Sequence, residues 1–260
     1  MVALAPTAAV AANECGDPSS NGATSDALVC VQGTYAGGIT TNTNGNLTLV
    51  LSETNTGAVV VPANGILVNG APGNSILIAR IQGVGAGFDP SITGSTGGIR
   101  AFGSNANVVV DLTDPDTGDT PISVSATNGA GVQVATSGVG AGTIATSNGT
   151  IQANSASAVV GLQASTSGSG AATVNGGATV TATGATGGVG VAAFATGTGT
   201  ANLNYTGAVS LTSTSGSSIA AQAVGVGGVV STVSDAKVST SGGSFSIGAN
   251  GLSASGTVTL

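Results

Sequence analysis

The sequence predicts an all-β chain wound as a parallel β-helix, a solenoid with about 30 residues per coil and roughly seven coils. Three observations carry the prediction. Apolar residues return at near-constant spacing in three separate series, polar residues alternate with them, and the composition leaves only a thin core to build.

Composition sets the frame. Charged residues make up 5% of the 260 residues, against roughly 25% in an ordinary soluble domain. Gly supplies 45 positions, and Ala, Ser, Thr, Val and Asn supply most of the rest. Disordered chains combine low hydrophobicity with high net charge, whereas the mean hydropathy here is +0.44. The Val, Ile and Leu side chains must therefore be buried. With no Trp, two Tyr and four Phe, no large rings exist to fill the centre of a sphere. Small aliphatic side chains can close a core only when it is narrow, as in an elongated stack.

The recurrence comes next. Ile151 in GTIQA is matched by Val180 in ATVTA, Val209 in AVSLT and Val238 in KVST, with 180 − 151, 209 − 180 and 238 − 209 each equal to 29. A second series, Ile144, Val174, Leu203 and Val233, advances by 30, 29 and 30. A third runs Ile66, Ile99, Val132, Leu162 and Val191 in steps of 33, 33, 30 and 29, and is expected to continue through Ala220 or Ala221 to Leu252. The longer early steps place insertions in the first coils, including the segment around Asp111 to Asp119. Each repeat thus carries three short segments, one per series, which is the signature of a repeat architecture.

Within the segments the period is two. Leu47, Leu49 and Leu51 alternate with Thr48 and Val50, and Val132 and Val134 flank Gln133, which sends one row of side chains to one face. Breaks fall at Asn69-Gly70, Asn128-Gly129, Asn148-Gly149, Asn175-Gly176 and Asn250-Gly251, residue pairs that tolerate positive φ and tight turning. Gly and β-branched residues are poor in helix interiors, and no helix-period stripe competes. Coils stacked at about 4.8 Å would place equivalent residues in columns, and seven of them would rise about 34 Å.

The N-terminus is read separately. Residues 1–12, MVALAPTAAVAA, are small and apolar and end before Asn13 in the manner of a secretory signal peptide, although the basic leading region is missing. An ordinary flexible terminus is the alternative. Residues 13–45 are expected to form a cap, with Cys15 and Cys30 joined in a disulfide that implies an oxidising compartment. Such a loop stabilises by about 3 kcal/mol in the chain-entropy account; a pair of free thiols is the other reading. Residues 46–260 form the solenoid, expected to be part of a longer chain because no C-terminal cover precedes Leu260. No run of about 18 apolar residues is present to form a membrane-spanning helix.

Segments such as GGIRAFGSNANVVVDL and GVQVATSGVGAGTIATSNGTIQA resemble the passenger region of bacterial autotransporters, especially the Gly/Ala/Thr-rich ones. The resemblance covers about residues 33 to 260. It implies a right-handed parallel β-helix behind a signal peptide, followed by a C-terminal outer-membrane barrel. The alternating aromatic-rich strands of that barrel do not occur in this sequence, so any membrane attachment would run through a barrel outside it. Localisation follows from the same resemblance: extracellular or at the cell surface, reached through the periplasm and outer membrane of a Gram-negative bacterium.

The sequence excludes most catalytic chemistries. There is no His, which removes Ser-His-Asp and Cys-His mechanisms and most zinc sites. Gly94-Ser95-Thr96-Gly97-Gly98 has the wrong order for a nucleophile elbow. From Ile122 onward the one carboxylate is Asp235, close to Lys237, where a glycosidase needs a pair. Asp111, Asp114, Asp116 and Asp119 in VVVDLTDPDTGDTP form an acidic cluster. As a calcium loop it is a weak match, because the D-x-D-x-D-G order is broken and no Glu closes it. A solvated loop is the simpler reading. Gly83-Val84-Gly85-Ala86-Gly87 lacks the Lys and the following helix of a phosphate loop.

No cofactor is implied. The net charge of −7, with Arg80, Arg100 and Lys237 as the only cations, gives no footprint for nucleic acid or for an anionic membrane. Thr-x-Thr pairs such as Thr179-Val180-Thr181 and Thr196-Gly197-Thr198 raise ice binding, but the row Gln152, Thr181, Ser210, Ser239 is irregular. The expectation is a non-catalytic structural or adhesive segment. Partners would be host or environmental surface glycans or proteins, met through insertions around Phe88–Ile92 and Asp111–Thr120. A solenoid that binds or cleaves glycans is the rival.

Overall fold

A computed structural model describes residues 25–30, 33–34, 38–43, 45–52, 59–61, 65–81, 91–113, 122–240, 245–252 and 258–259. The described residues hold strands and turns and no helix. Every strand pairs in parallel with a strand about one repeat away, giving an all-β parallel solenoid of about 30 residues per turn.

Three faces enclose the core. The first stacks Asn46–Ser52, Ile76–Ile81, Val108–Leu112, Gly142–Thr146 and Ala172–Gly176. The second stacks Val59–Val61, Ser91–Gly94, Ser123–Ala126, Thr150–Ser155 and Thr179–Gly184. Both lead into Ala201–Ser213, a 13-residue strand that runs round the corner and joins them in one sheet. The third face is a separate eight-stranded sheet that includes Gly97–Ser104, Ala130–Ser137, Val159–Thr166, Gly187–Ala195 and Ser217–Gly225. About five turns are complete, against the seven expected. Strands continue beyond them at both ends, and Ser25–Cys30 already pairs with Asn46–Ser52 inside the stretch expected to form a cap.

The columns form as the spacing predicts through most of the stack. On the second face Ile92, Val124, Ile151, Val180 and Val209 are successive register partners. On the first, Leu49, Ile78, Val110, Ile144, Val174 and Leu203 follow one another. On the third, Ile39, Ile66, Ile99, Val132, Leu162, Val191 and Ala221 do so. All of these side chains are essentially without solvent exposure. Each fully buried aliphatic side chain contributes about 1.5–3 kcal/mol, so the columns are the main stabilising term of each turn.

The last turn departs from the expected register. Val209 pairs with Ala236 and Leu203 with Ser231, whereas Val238 lies beside Leu211 and Val233 beside Tyr205. Likewise Ala221 pairs with Ala249, and Leu252 with Val224. On the first face the cause is a shorter corner; on the second a register shift between Tyr205 and Ala208 adds to it, and on the third the register shifts again between Ile219 and Ala221. Ala195 to Ala201 spans 201 − 195 = 6 positions, while the equivalent Gly225 to Val229 spans 229 − 225 = 4. A slip of two residues keeps every side chain on its own face, so Val238 and Val233 retain their alternation while changing neighbours.

Glycine has a different role from the one its turn-forming habit predicts. Among the Asn-Gly pairs, Gly149 has positive φ, at 122°. Gly176 lies instead where a Cβ would come within 2.7 Å of the Tyr205 ring. On the third face Gly98, Gly131, Gly161 and Gly190 form a column of their own, capped by the buried Ala220. A Cβ on Gly161 would stand 2.5 Å from Val180 Cγ1 and also meet the Gly190 carbonyl. The second-face valines press against bare backbone there, which is why the stack needs glycine at that corner.

Tyr205 is the largest fully buried side chain. Its hydroxyl donates to the Ala178 carbonyl at 2.7 Å, which satisfies the one polar atom the ring brings inside. Burial pushes the phenol well above its ordinary value of 10.0, offset in part by the Thr146 hydroxyl nearby.

Candidate functional site

Of the acidic cluster, only Asp111 lies among residues with described side chains. Its Oδ1 accepts from the Thr113 backbone N–H at 3.0 Å and from the Thr113 hydroxyl at 2.6 Å. The carboxylate is thus turned onto its own chain at a strand end. Asp114, Asp116 and Asp119 lie outside the described residues. Among the described residues no three metal-ligating side chains gather. Cys15 lies outside the description, as does the side chain of Cys30, and the same holds for the side chains of Asp235 and Lys237.

The outward rows of the second face carry hydroxyls and amides. One row reads Thr93, Ser125, Gln152, Thr181 and Ser210, and another Asn154, Thr183 and Thr212; Lys237 and Ser239 are the next register partners of Ser210 and Thr212. Ser239 therefore lies beside Thr212 and not beside Ser210. No outward row of this face holds Thr on more than two successive turns.

The third face is chemically different. Its outward side has one row in register through Leu67, Arg100, Gln133, Gln163, Ala192 and Gln222, of which Ala192 is fully covered. Two residues further along each strand runs a second row of Asn42, Asn69, Phe102, Ala135, Ser165, Phe194 and Val224. Strand alternation, with side chains two residues apart on one face, puts both rows on the outside.

The two rows are tied together. The Arg100 guanidinium lies 5.0 Å from the centroid of the Phe102 ring, a cation–π distance. Arg100 Nε donates to Gln133 Oε1 at 3.2 Å, and Gln133 Nε2 donates onward to Gln163 Oε1 at 3.4 Å. At the other end of the second row Asn69 Nδ2 donates to Asn42 Oδ1 at 3.0 Å. Phe102 and Phe194 are both half-buried, and between them stand the short side chains of Ala135 and Ser165. The result is a shallow trough with an aromatic ring at each end and amides along one side.

Spacing in the sequence could have found this pair. Phe102 follows the column residue Ile99 by three positions, and Phe194 follows Val191 by three. The same offset places both rings on one outer row.

Comparison with protein-family models, with curated proteins and with solved structures finds no match for this chain. Among the described residues no helix is long and apolar enough to cross a membrane.

Proposed function

We propose that the chain is a structural and adhesive passenger segment of a bacterial autotransporter, carried on or released from the cell surface and without catalytic activity. One observation carries this reading. Among residues with described side chains the parallel stack shows a single carboxylate, Asp111, and a single cation, Arg100, on a surface otherwise of hydroxyls, amides and apolar groups, Phe102, Phe194 and Val139 among them. Hydrolysis of a glycosidic bond needs two placed carboxylates, and acyl transfer needs a nucleophile with its base. A stack stabilised by nearest-neighbour contacts can instead be lengthened turn by turn, which suits a spacer that holds binding surfaces away from a membrane. The right-handed winding, the secretion route and the outer-membrane barrel belong to the same proposal and rest on the passenger-like repeats.

The test uses the purified full chain coupled to beads and presented to immobilised matrix proteins and glycans. The reading expects saturable adhesion with no change in the ligand over time. Turnover, seen as newly released reducing ends or cleaved protein, would replace it with an enzymatic reading.

A further inference from the structure

The third face is set apart by charge as well as by its rings. The chain carries a net charge of −7, yet none of the third-face strands from Ile39–Thr43 to Phe245–Leu252 contains an Asp or Glu. Arg100 is the one charged residue on that whole sheet. The second-face strands up to Ala201–Ser213 contain no Asp or Glu either, so what distinguishes the third face is its guanidinium, held by Phe102 and Gln133.

We propose that the Phe102–Phe194 trough on this face is a glycan-binding site, with Arg100 favouring sugars that bear a carboxylate. The proposal rests on the adhesive reading and names the partner chemistry for one surface of it. A pyranose ring presents a face of C–H bonds to the electron-rich face of an aromatic ring, and burying that face releases water. Phe102 and Phe194 stand three turns apart in register, about 14 Å at the parallel-strand spacing, which suits a short run of sugar rings. Ala135 and Ser165 keep the floor low, and Gln133 and Gln163 offer planar amides alongside. The Arg100–Gln133–Gln163 hydrogen bonds fix these groups before a ligand arrives, so little ordering entropy remains to be lost on binding. A guanidinium takes a carboxylate with two parallel hydrogen bonds, which gives the acidic preference.

The experiment is titration calorimetry of the full chain with two probes, hyaluronan hexasaccharide as the acidic glycan and chitohexaose as the neutral one. The expected result is saturable binding of the acidic probe, weaker binding of the neutral one, and at least a tenfold loss for both in Phe194→Ala and Phe102→Ala. Arg100→Gln should weaken the acidic probe alone. Ala135→Tyr keeps both rings but fills the floor, and should abolish binding in a chain whose circular dichroism is unchanged. Absence of binding to both probes would overturn the site, as would binding untouched by Phe194→Ala and Ala135→Tyr. If those variants bind neither probe differently from the parent while bead adhesion persists, the trough is wrong and the adhesive reading survives.

Discussion

The early and late turns enclose the same three-faced core with different materials. Early turns are filled by Leu49, Ile66, Ile78, Ile92 and Ile99, and late ones by Val174, Val180, Ala182, Ala193 and Ala223. The repeat step on the third face is 27 residues from Ile39 to Ile66, 33 on to Ile99 and again to Val132, 30 to Leu162 and 29 to Val191. Backbone meets side chain along the whole glycine column, at Gly98 and Gly131 against Val124 and Ile151 as at Gly161 and Gly190 against Val180 and Val209, so the contrast lies in side-chain size and not in how closely the faces approach. Where the late core would be too thin, single residues compensate from the next turn. Tyr205 fills the space that Gly176 leaves, and Leu211 packs with Ala153, Val159 and Ala182. Core volume is therefore balanced between neighbouring turns rather than within each one.

This contrast can be broken most sharply at the glycine column. Gly161→Val forces a branched side chain into Val180 Cγ1 and the Gly190 carbonyl, and should destabilise by about 3 kcal/mol or more. Ala220→Gly, at the end of the same column, should cost about 1 kcal/mol or less. Urea unfolding midpoints of the two variants measure the gap. If Gly161→Val is tolerated, the late turns are not packed to contact.

A second pair compares one column at two heights. Ile78→Ala in an early turn should cost about 3–4 kcal/mol, and Val174→Ala in a late one about 2 kcal/mol. Both side chains are fully buried. Equal losses would mean that the late turns gain more from each methyl group than their volume allows.

Tyr205 sharpens the account of compensation. Tyr205→Phe leaves the Ala178 carbonyl without its donor, a change worth about 1–2 kcal/mol. The phenol also makes stability depend on pH. Burial raises its folded-state pKa above the ordinary 10.0, so the folded chain keeps its proton where the unfolded chain has lost it. That contribution is fully present below about pH 10 and is lost as the pH rises further. Thermal unfolding at pH 9 and pH 11 should show the decline in the parent and a smaller one in Tyr205→Phe.

The smallest effect belongs outside. Thr181→Val, on an exposed outer row, should stay within about 0.5 kcal/mol of the parent by urea unfolding. A larger loss would show that the hydroxyl rows contribute to the stack.

The inner columns were legible because a parallel stack converts sequence spacing directly into neighbours. Ile151, Val180 and Val209 needed only a constant step. Val233 and Val238 fall outside the expected register because a shorter corner, and for Val238 also a register shift after Tyr205, slips the strand by two residues and leaves the alternation intact, and periodicity carries no signal for a slip of that size. Of the Asn-Gly pairs, Asn128-Gly129 and Asn148-Gly149 lie at corners, Asn69-Gly70 and Asn175-Gly176 close strands, and Asn250-Gly251 lies inside Phe245–Leu252, against the expected break. Spacing also cannot tell a glycine chosen for positive φ from one chosen for contact. Gly149 is the first kind and Gly176 the second. The trough was harder, since Phe102 and Phe194 are 92 positions apart in sequence, 194 − 102 = 92. Their kinship appears only after each is placed relative to its own column residue. The acidic segment beyond Asp111 lies outside the described residues, and its expected role is unchanged by the fold.

Everything above depends on turns rising by one strand spacing while the sequence advances by a whole repeat. Dipolar spin-label distances test that directly on one outer row, with Cys15 and Cys30 replaced by Ser. Label pairs at Thr93/Ser210 and Thr93/Lys237 are separated by four and five register steps. The account predicts narrow distances of about 19 Å and 24 Å, a rise of about 4.8 Å for the last step. Broad distributions, or a last step much larger than one strand spacing, would contradict it.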